Sequence, residues 1–201
     1  MILIGLTGNL GCGKSTVASL FRKQGVKTID TDSLARRAVE PSSPIYIKLR
    51  HLLGAGYFRR SDGALLRQRT AHHVFTNSKI RQKMNRLVHP EVLRLLKLRF
   101  HVLEKQKTPA VVVEVPLLYE AGWKVLFDAV VLVTITKPIL IKRLLKRGMS
   151  LSEIESRLRA QIPAHKKKKS ADFVINNSGL KSTTARQVSK IMRALAPCFH
   201  R

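Results

Sequence analysis

The chain has 201 residues, 44% of them hydrophobic, which is enough for one α/β core with inserted segments and too little for two large independent domains. No stretch reaches the roughly 18 to 20 uninterrupted apolar residues of a membrane span, and the opening MILIGLTG has neither a basic leader nor a small-residue cleavage site, so a cytoplasmic protein without membrane attachment is expected. Lys and Arg outnumber Asp and Glu by 38 to 12, a net charge of +26 that attracts polyanions of any kind, nucleic acids and anionic metabolites alike. Residues 32–107 carry 17 positive and 5 negative charges and residues 142–169 carry 10 and 2, so no single arm or tail holds the excess. A solvated basic surface without a specific partner accounts for many of these side chains equally well. Two cysteines, Cys12 and Cys198, make no disulfide framework.

In chain order, the apolar run 2–6 reads as a buried parallel strand, followed by a helix over 14–24 that stops at Gly25. A second strand is expected at 26–30. The next strand, at 110–115, begins about 80 residues later, so the interval is an inserted, mainly helical subdomain with a helical pattern over 80–103 and a turn at Ser61-Asp62-Gly63. A fourth strand covers 129–135 and a helix 137–146. Ser152-Glu153-Ile154-Glu155 has the composition of a helix start, running to Gln161 before Pro163. Residues 164–170 read as a basic, flexible segment. A short fifth strand at 173–175 precedes a helix over 182–195, whose apolar face holds Val188, Ile191, Met192 and Leu195. The expected organisation is a nucleotide-binding core (1–31, 108–149 and 172–201), a helical substrate domain (32–107) and a lid (150–171).

Gly8-Asn9-Leu10-Gly11-Cys12-Gly13-Lys14-Ser15, followed by Thr16, matches the phosphate-loop pattern GxxxxGK(S/T), and it lies between a strand and a helix as that pattern requires. Its glycines let backbone N–H groups close on phosphate oxygens, and the following helix aims its N-terminus at the same anion. Lys14 offers a point charge to the β- and γ-phosphates of ATP, and Ser15 offers a hydroxyl to Mg²⁺. Cys12, beside Lys14 and a helix N-terminus, is placed where a thiolate is favoured and a redox switch possible; a small side chain tolerated at a variable position is the competing reading.

Such a loop serves kinases, GTPases and motors alike. Asp30-Thr31-Asp32 narrows the choice, because it follows the second strand at the carboxyl end where open α/β sheets build their sites. A carboxylate there can orient an acceptor hydroxyl and take its proton, or hold water on Mg²⁺. Asp32 can equally cap the helix that begins near Ser33.

From the opening segment onward, the sequence resembles the dephospho-coenzyme A kinase family. The carriers are the phosphate loop 8–16, Asp30 and Asp32, Ala35-Arg36, and Glu40-Pro41-Ser42-Ser43-Pro44. Further matches are Ser61-Asp62-Gly63-Ala64-Leu65, Val88-His89-Pro90, the Pro-Leu-Leu segment 115–123 (VPLLYEAGW), Arg159-Ala160-Gln161-Ile162-Pro163 and residues 171–179. The chain departs from the family pattern at Leu66, at Asn176 and in the run 165–169 (HKKKK).

The resemblance implies a P-loop NTPase fold of the α/β class: a five-stranded parallel sheet flanked by helices, an inserted helical coenzyme A domain and a lid. It implies transfer of the ATP γ-phosphoryl to the ribose 3′-hydroxyl of dephospho-coenzyme A, with Asp32 as the base and Mg²⁺ as the cofactor. Substrate contacts are expected from Asp32, Arg36, His89, Pro116 and Leu117. ATP contacts are expected from residues 8–16, Arg143, Arg147 and Asn177. Four of these have a plainer alternative: Arg36 a surface arginine, His89 a helix-start histidine, Arg147 a helix C-terminal charge, Asn177 a turn residue. A nucleoside or nucleotide kinase is a second reading. A nucleic-acid-binding P-loop ATPase is a third, weakened by 5% aromatic content and the absence of helix-turn-helix or zinc spacing. A monomer without a specific nucleic-acid partner is expected.

Overall fold

The computed structural model describes residues 1–198, without the side chains of Phe75 and Cys198. Five parallel strands form one sheet: β1 (Ile2–Thr7), β2 (Lys27–Asp30), β3 (Ala110–Glu114), β4 (Ala129–Thr134) and β5 (Phe173–Asn176), in the order β2-β3-β1-β4-β5. All five coincide with the expected apolar runs to within two residues at either end. The central strands are apolar throughout because both faces are covered: every residue of β3 is buried, and Ile4 and Leu6 of β1 are fully enclosed. Helix α1 (Lys14–Lys23) lays Val17, Ala18, Leu20 and Phe21 into the same apolar cluster as Ile4, Val112 and Val131. Full burial of a side chain such as Phe21 is worth about 1.5–3 kcal/mol.

Two compact units make up the chain. The first contains Met1–Asp30 and everything from Gln106 onward; the second is Thr31–Lys105. The second unit is helical: α2 (Thr31–Ala38), α3 (Tyr46–Leu53), α4 (Arg67–Thr76) and α5 (Ser78–Lys105), with α2, α3 and α4 each packed on α5. Leu34, Leu49, Val88, Val92 and Leu96 are among its buried residues. Helix α5 runs through Pro90, whose missing N–H leaves one turn without its hydrogen bond. Next to Pro90, Glu91 is buried and accepts two hydrogen bonds from Arg94, at 2.7 and 2.9 Å, which hold its carboxyl below the usual range.

His89 therefore lies in the middle of a helix rather than at a helix start. Burial pulls its imidazole below the ordinary value. A group with a lowered folded pKa leaves stability intact above its unfolded value and removes it as pH falls toward the folded value. The protein is thus expected to lose stability as pH drops below about 6.5. Melting temperatures at pH 7.5 and 5.5 check this: the drop should be smaller in His89→Gln than in the wild type.

The first unit continues with α6 (Lys137–Leu145), α7 (Leu151–Arg159), α8 (Ala164–Lys168) and α9 (Lys181–Leu195). Helix α7 is capped by Ser150, whose Oγ accepts the N–H of Glu153 at 3.2 Å, so the helix begins before the Ser152 expected as its start. Residues 164–168 form α8, which corrects the expectation of a flexible basic segment. Its Lys167 turns inward, and an anchored side chain of that kind holds a short helix in place. No helix among the described residues is long and apolar enough to cross a membrane.

Candidate active site

Between β1 and α1 the chain folds into a cradle. Gly11 and Gly13 have φ of 75° and 91°, conformations that L side chains rarely adopt, and a Cβ at Gly13 would collide with the amide of Asn177. The N–H of Cys12 bonds to the carbonyl of Asn9 at 3.2 Å, curling the loop. Helix α1 starts at Lys14 with no side-chain cap and no acid in its first turn, so its leading N–H groups are left for an anion. Lys14 Nζ donates to the Gly8 carbonyl at 2.8 Å, which holds the ammonium across the loop.

Two carboxylates meet at the carboxyl ends of the strands beside this loop. Asp30 of β2 pairs in register with Glu114 of β3, and Glu114 with Leu6 of β1. Glu114 is 8% exposed. Burial and then the neighbouring Asp30 raise its pKa, while Arg22, a hydrogen bond from Ser15 and Lys14 pull it part of the way back. Sequence reasoning passed over Glu114. The available signal was an acid closing an otherwise apolar strand.

These oxygens suit Mg²⁺. The ion takes hard oxygen ligands and is commonly held by one or two protein groups plus substrate phosphates, so a three-residue protein cluster, absent among the described residues, is not required. The like-charge pressure on Glu114 is of the kind a divalent cation relieves.

The loop is braced from two sides. On one side, Asn177 is 4% exposed; its amide donates to the Cys12 carbonyl at 2.8 Å and its side-chain oxygen accepts from Thr184 of α9 at 3.0 Å. Held at both ends in this way, Asn177 is a strut under the loop. Arg143 of α6 donates to the Asn177 carbonyl at 3.0 Å, and one of its guanidinium nitrogens approaches Gly13. Arg147 is exposed, beyond the end of α6.

On the other side, the segment after α7 is bonded to the loop's first half. Leu10 N–H donates to Gln161 Oε1 at 3.0 Å and Asn9 Nδ2 to the Ile162 carbonyl at 3.2 Å. The Ile162 N–H donates to Glu120 Oε1 at 2.9 Å, and the buried ammonium of Lys167 lies 2.9 Å from the same oxygen. Removing one member of a buried ion pair strands the other charge, at a cost of about 3–5 kcal/mol. Lys167→Ala is therefore expected to destabilise the protein by about that much, whereas Lys168→Ala, at an exposed position, stays within about 0.5 kcal/mol. Urea titration of both variants separates the two outcomes.

Cys12 is 1% exposed, and burial pushes its thiol up despite the nearby Lys14. That corrects the thiolate expectation and leaves the small buried side chain. Pro116 is half-buried and Leu117 exposed, on the turn after β3, with the fully buried Leu118 anchoring it.

In the second unit, Asp32 is exposed within the first turn of α2, which begins at Thr31, so Asp32 is part of the helix and not its cap. Arg36, one turn on, lines a cavity of about 510 Å³ together with Glu40, Pro41, Leu65 and Arg67. The segments that carried the family resemblance in this unit, 40–44 and 61–65, thus contribute to one concave site.

A family model for dephospho-CoA kinase matches residues 2–182. The chain is 37% identical to the dephospho-CoA kinase of Syntrophotalea carbinolica over 198 residues, covering 98% of this chain and 93% of that protein. It is 37% identical to the dephospho-CoA kinase of Anaeromyxobacter dehalogenans over 196 residues, covering 97% and 92%. A crystal structure of a Thermus thermophilus protein superposes with a TM-score of 0.84 at 36% identity, covering 96% of both chains. Dephospho-CoA kinase from Campylobacter jejuni, at 24% identity over 97% of both chains and a TM-score of 0.72, shares the fold. With the phosphate loop, the parallel sheet and nearly the full length in agreement, this chain belongs to the dephospho-CoA kinase family and is an ATP-dependent kinase.

Proposed function

We propose that the protein transfers the γ-phosphoryl group of ATP to the ribose 3′-hydroxyl of dephospho-coenzyme A, giving coenzyme A and ADP. The observation that carries the mechanism is the meeting of Lys14 and Ser15 with Glu114 and Asp30 at the carboxyl ends of β1, β2 and β3. The loop's N–H groups and the start of α1 bind the phosphates, and Lys14 places a positive charge where negative charge builds on the transferred group. Mg²⁺ would supply charge neutralisation to the phosphates, and Ser15 and Glu114 are the residues that would hold it. Arg143 adds positive charge beside Gly13, and Arg147 extends it. Asn177 acts through the loop, as a positioning residue.

Asp32 orients the 3′-hydroxyl and accepts its proton as the oxygen–phosphorus bond forms and the bond to ADP breaks. Arg36 and the cavity around it take the acceptor's pyrophosphate, a match of guanidinium to phosphate geometry. His89, Pro116 and Leu117 complete the acceptor contacts. Residues 32–107 serve as the substrate domain and 150–171 as the lid. The protein acts as a cytoplasmic monomer in this scheme. A coupled assay of ADP release over a panel of acceptors tests it: dephospho-coenzyme A should be used with a kcat/KM far above that of any nucleoside or nucleotide. Faster turnover of a nucleoside would move the protein to another kinase class.

A further inference from the structure

A second basic cavity in Thr31–Lys105 has no task in the phosphoryl transfer proposed above, on which this inference rests. It has a volume of about 740 Å³ and is lined by Arg50, Arg59, Arg60 and Arg69, with Gly56 and Phe58 between them and no acid in the lining. Arg59 and Arg69 also line the cavity that holds Arg36; Arg50 and Arg60 do not. The acceptor carries one pyrophosphate, which the Arg36 cavity already matches. Four guanidiniums around a further concavity repel one another, and that repulsion is relieved by a bound anion.

Two of the four guanidiniums, those of Arg50 and Arg69, are held against rings. Arg50 Cζ lies 5.7 Å from the centre of the Phe58 ring, and Arg69 Cζ 5.2 Å from that of Tyr57. Arg69 Nη1 also donates to the Gly56 carbonyl at 2.9 Å. Phe58 is itself fixed, 5% exposed and edge-on to Tyr46 at 5.5 Å. The strand-like bridge of Phe58 with Leu65 closes the turn that carries Arg59 and Arg60. Asp62 sits 3.3 Å from Arg59 and offsets part of the charge there. A solvated basic face has no need of rings that fix its arginines. Planar guanidiniums fixed on aromatic faces lose little freedom on binding, and their forks fit phosphate oxygens.

We infer that the cavity formed by Arg50, Arg59, Arg60 and Arg69 is a second anion site, adjoining the acceptor pocket and sharing Arg59 and Arg69 with it, that takes an oligophosphate. A chain of adjacent phosphates suits it better than a single tetrahedral anion, because four guanidiniums line one cavity and carry more positive charge than a single sulfate can pair. The site accounts for part of the positive excess that the kinase chemistry leaves unused.

Inorganic tripolyphosphate is the probe, titrated by calorimetry into the full chain saturated with ADP and dephospho-coenzyme A so that both substrate sites are filled. Binding is expected at one site, and tripolyphosphate should bind far more tightly than sulfate. A charge-assisted hydrogen bond is worth enough for Arg50→Gln/Arg60→Gln to weaken binding by at least about tenfold, with KM for dephospho-coenzyme A unchanged. Arg50→Lys/Arg60→Lys, which keeps charge but loses the fork, should fall between. Lys79→Gln/Lys83→Gln removes the same charge from α5, outside both cavities, and should leave binding as in the wild type. Equal weakening by the two Gln pairs would show bulk charge alone and overturn the site, as would undiminished binding in Arg50→Gln/Arg60→Gln. If dephospho-coenzyme A proves not to be the acceptor, the contrast between the two pairs still decides this question.

Discussion

Lys14→Ala is expected to lower turnover by on the order of 100- to 1000-fold, the worth of a single preorganised donor at developing charge in a water-poor site. The ammonium is preorganised here by its 2.8 Å bond to the Gly8 carbonyl, so the side chain spans the loop before any phosphate arrives. The fold should survive the change, because the loop's shape rests on Gly11, Gly13 and the bond from Asn177 to the Cys12 carbonyl, none of which involves Lys14. Steady-state kinetics with a thermal melt distinguishes the outcomes: an unchanged melt with near-complete loss of kcat supports the role, and wild-type rates contradict it.

Asp32→Asn is expected to cost on the order of 100- to 10,000-fold in kcat with ATP binding little changed, since positioned general bases contribute at that scale. The substitution keeps the shape of the side chain and removes its charge and basicity. It also removes a favourable acid from the first turn of α2, an effect of only about 0.3–1 kcal/mol on stability, too small to explain such a loss. Asp30→Asn makes the comparison informative. Asp30 faces Glu114 across the sheet and raises its pKa, so its loss should act through the metal side of the site, shifting the Mg²⁺ requirement more than kcat at saturating Mg²⁺. A dead Asp30→Asn beside an active Asp32→Asn would mean that the two roles are exchanged; two active variants would remove the base from the mechanism.

Much of this was legible in the residues themselves, for local reasons. The phosphate loop is written in glycines whose positive φ no other residue supplies cheaply, and the strands are written in short apolar runs because parallel sheets are covered on both faces. What stayed hidden depends on partners distant in sequence. Glu114 becomes part of the site only because β3 lies between β1 and β2, an order that no single segment encodes. Lys167 is one of four consecutive lysines; that it alone is buried follows from Glu120, 47 residues earlier. Asn177 has the composition of a turn residue, yet its burial depends on Thr184 and the Cys12 carbonyl meeting it from opposite ends of the chain. Pro90, ordinarily a boundary signal, lies inside a 28-residue helix because packing of α2, α3 and α4 on α5 outweighs one lost hydrogen bond.

The most direct test of the central claim is the identity of the product. Purified protein, ATP, Mg²⁺ and dephospho-coenzyme A should yield ADP and one new compound, heavier by a single phosphoryl group. Phosphorus NMR should place that group on the ribose 3′-oxygen and show the pyrophosphate intact. Phosphate on any other oxygen, or ATP turnover that does not depend on dephospho-coenzyme A, would contradict the account.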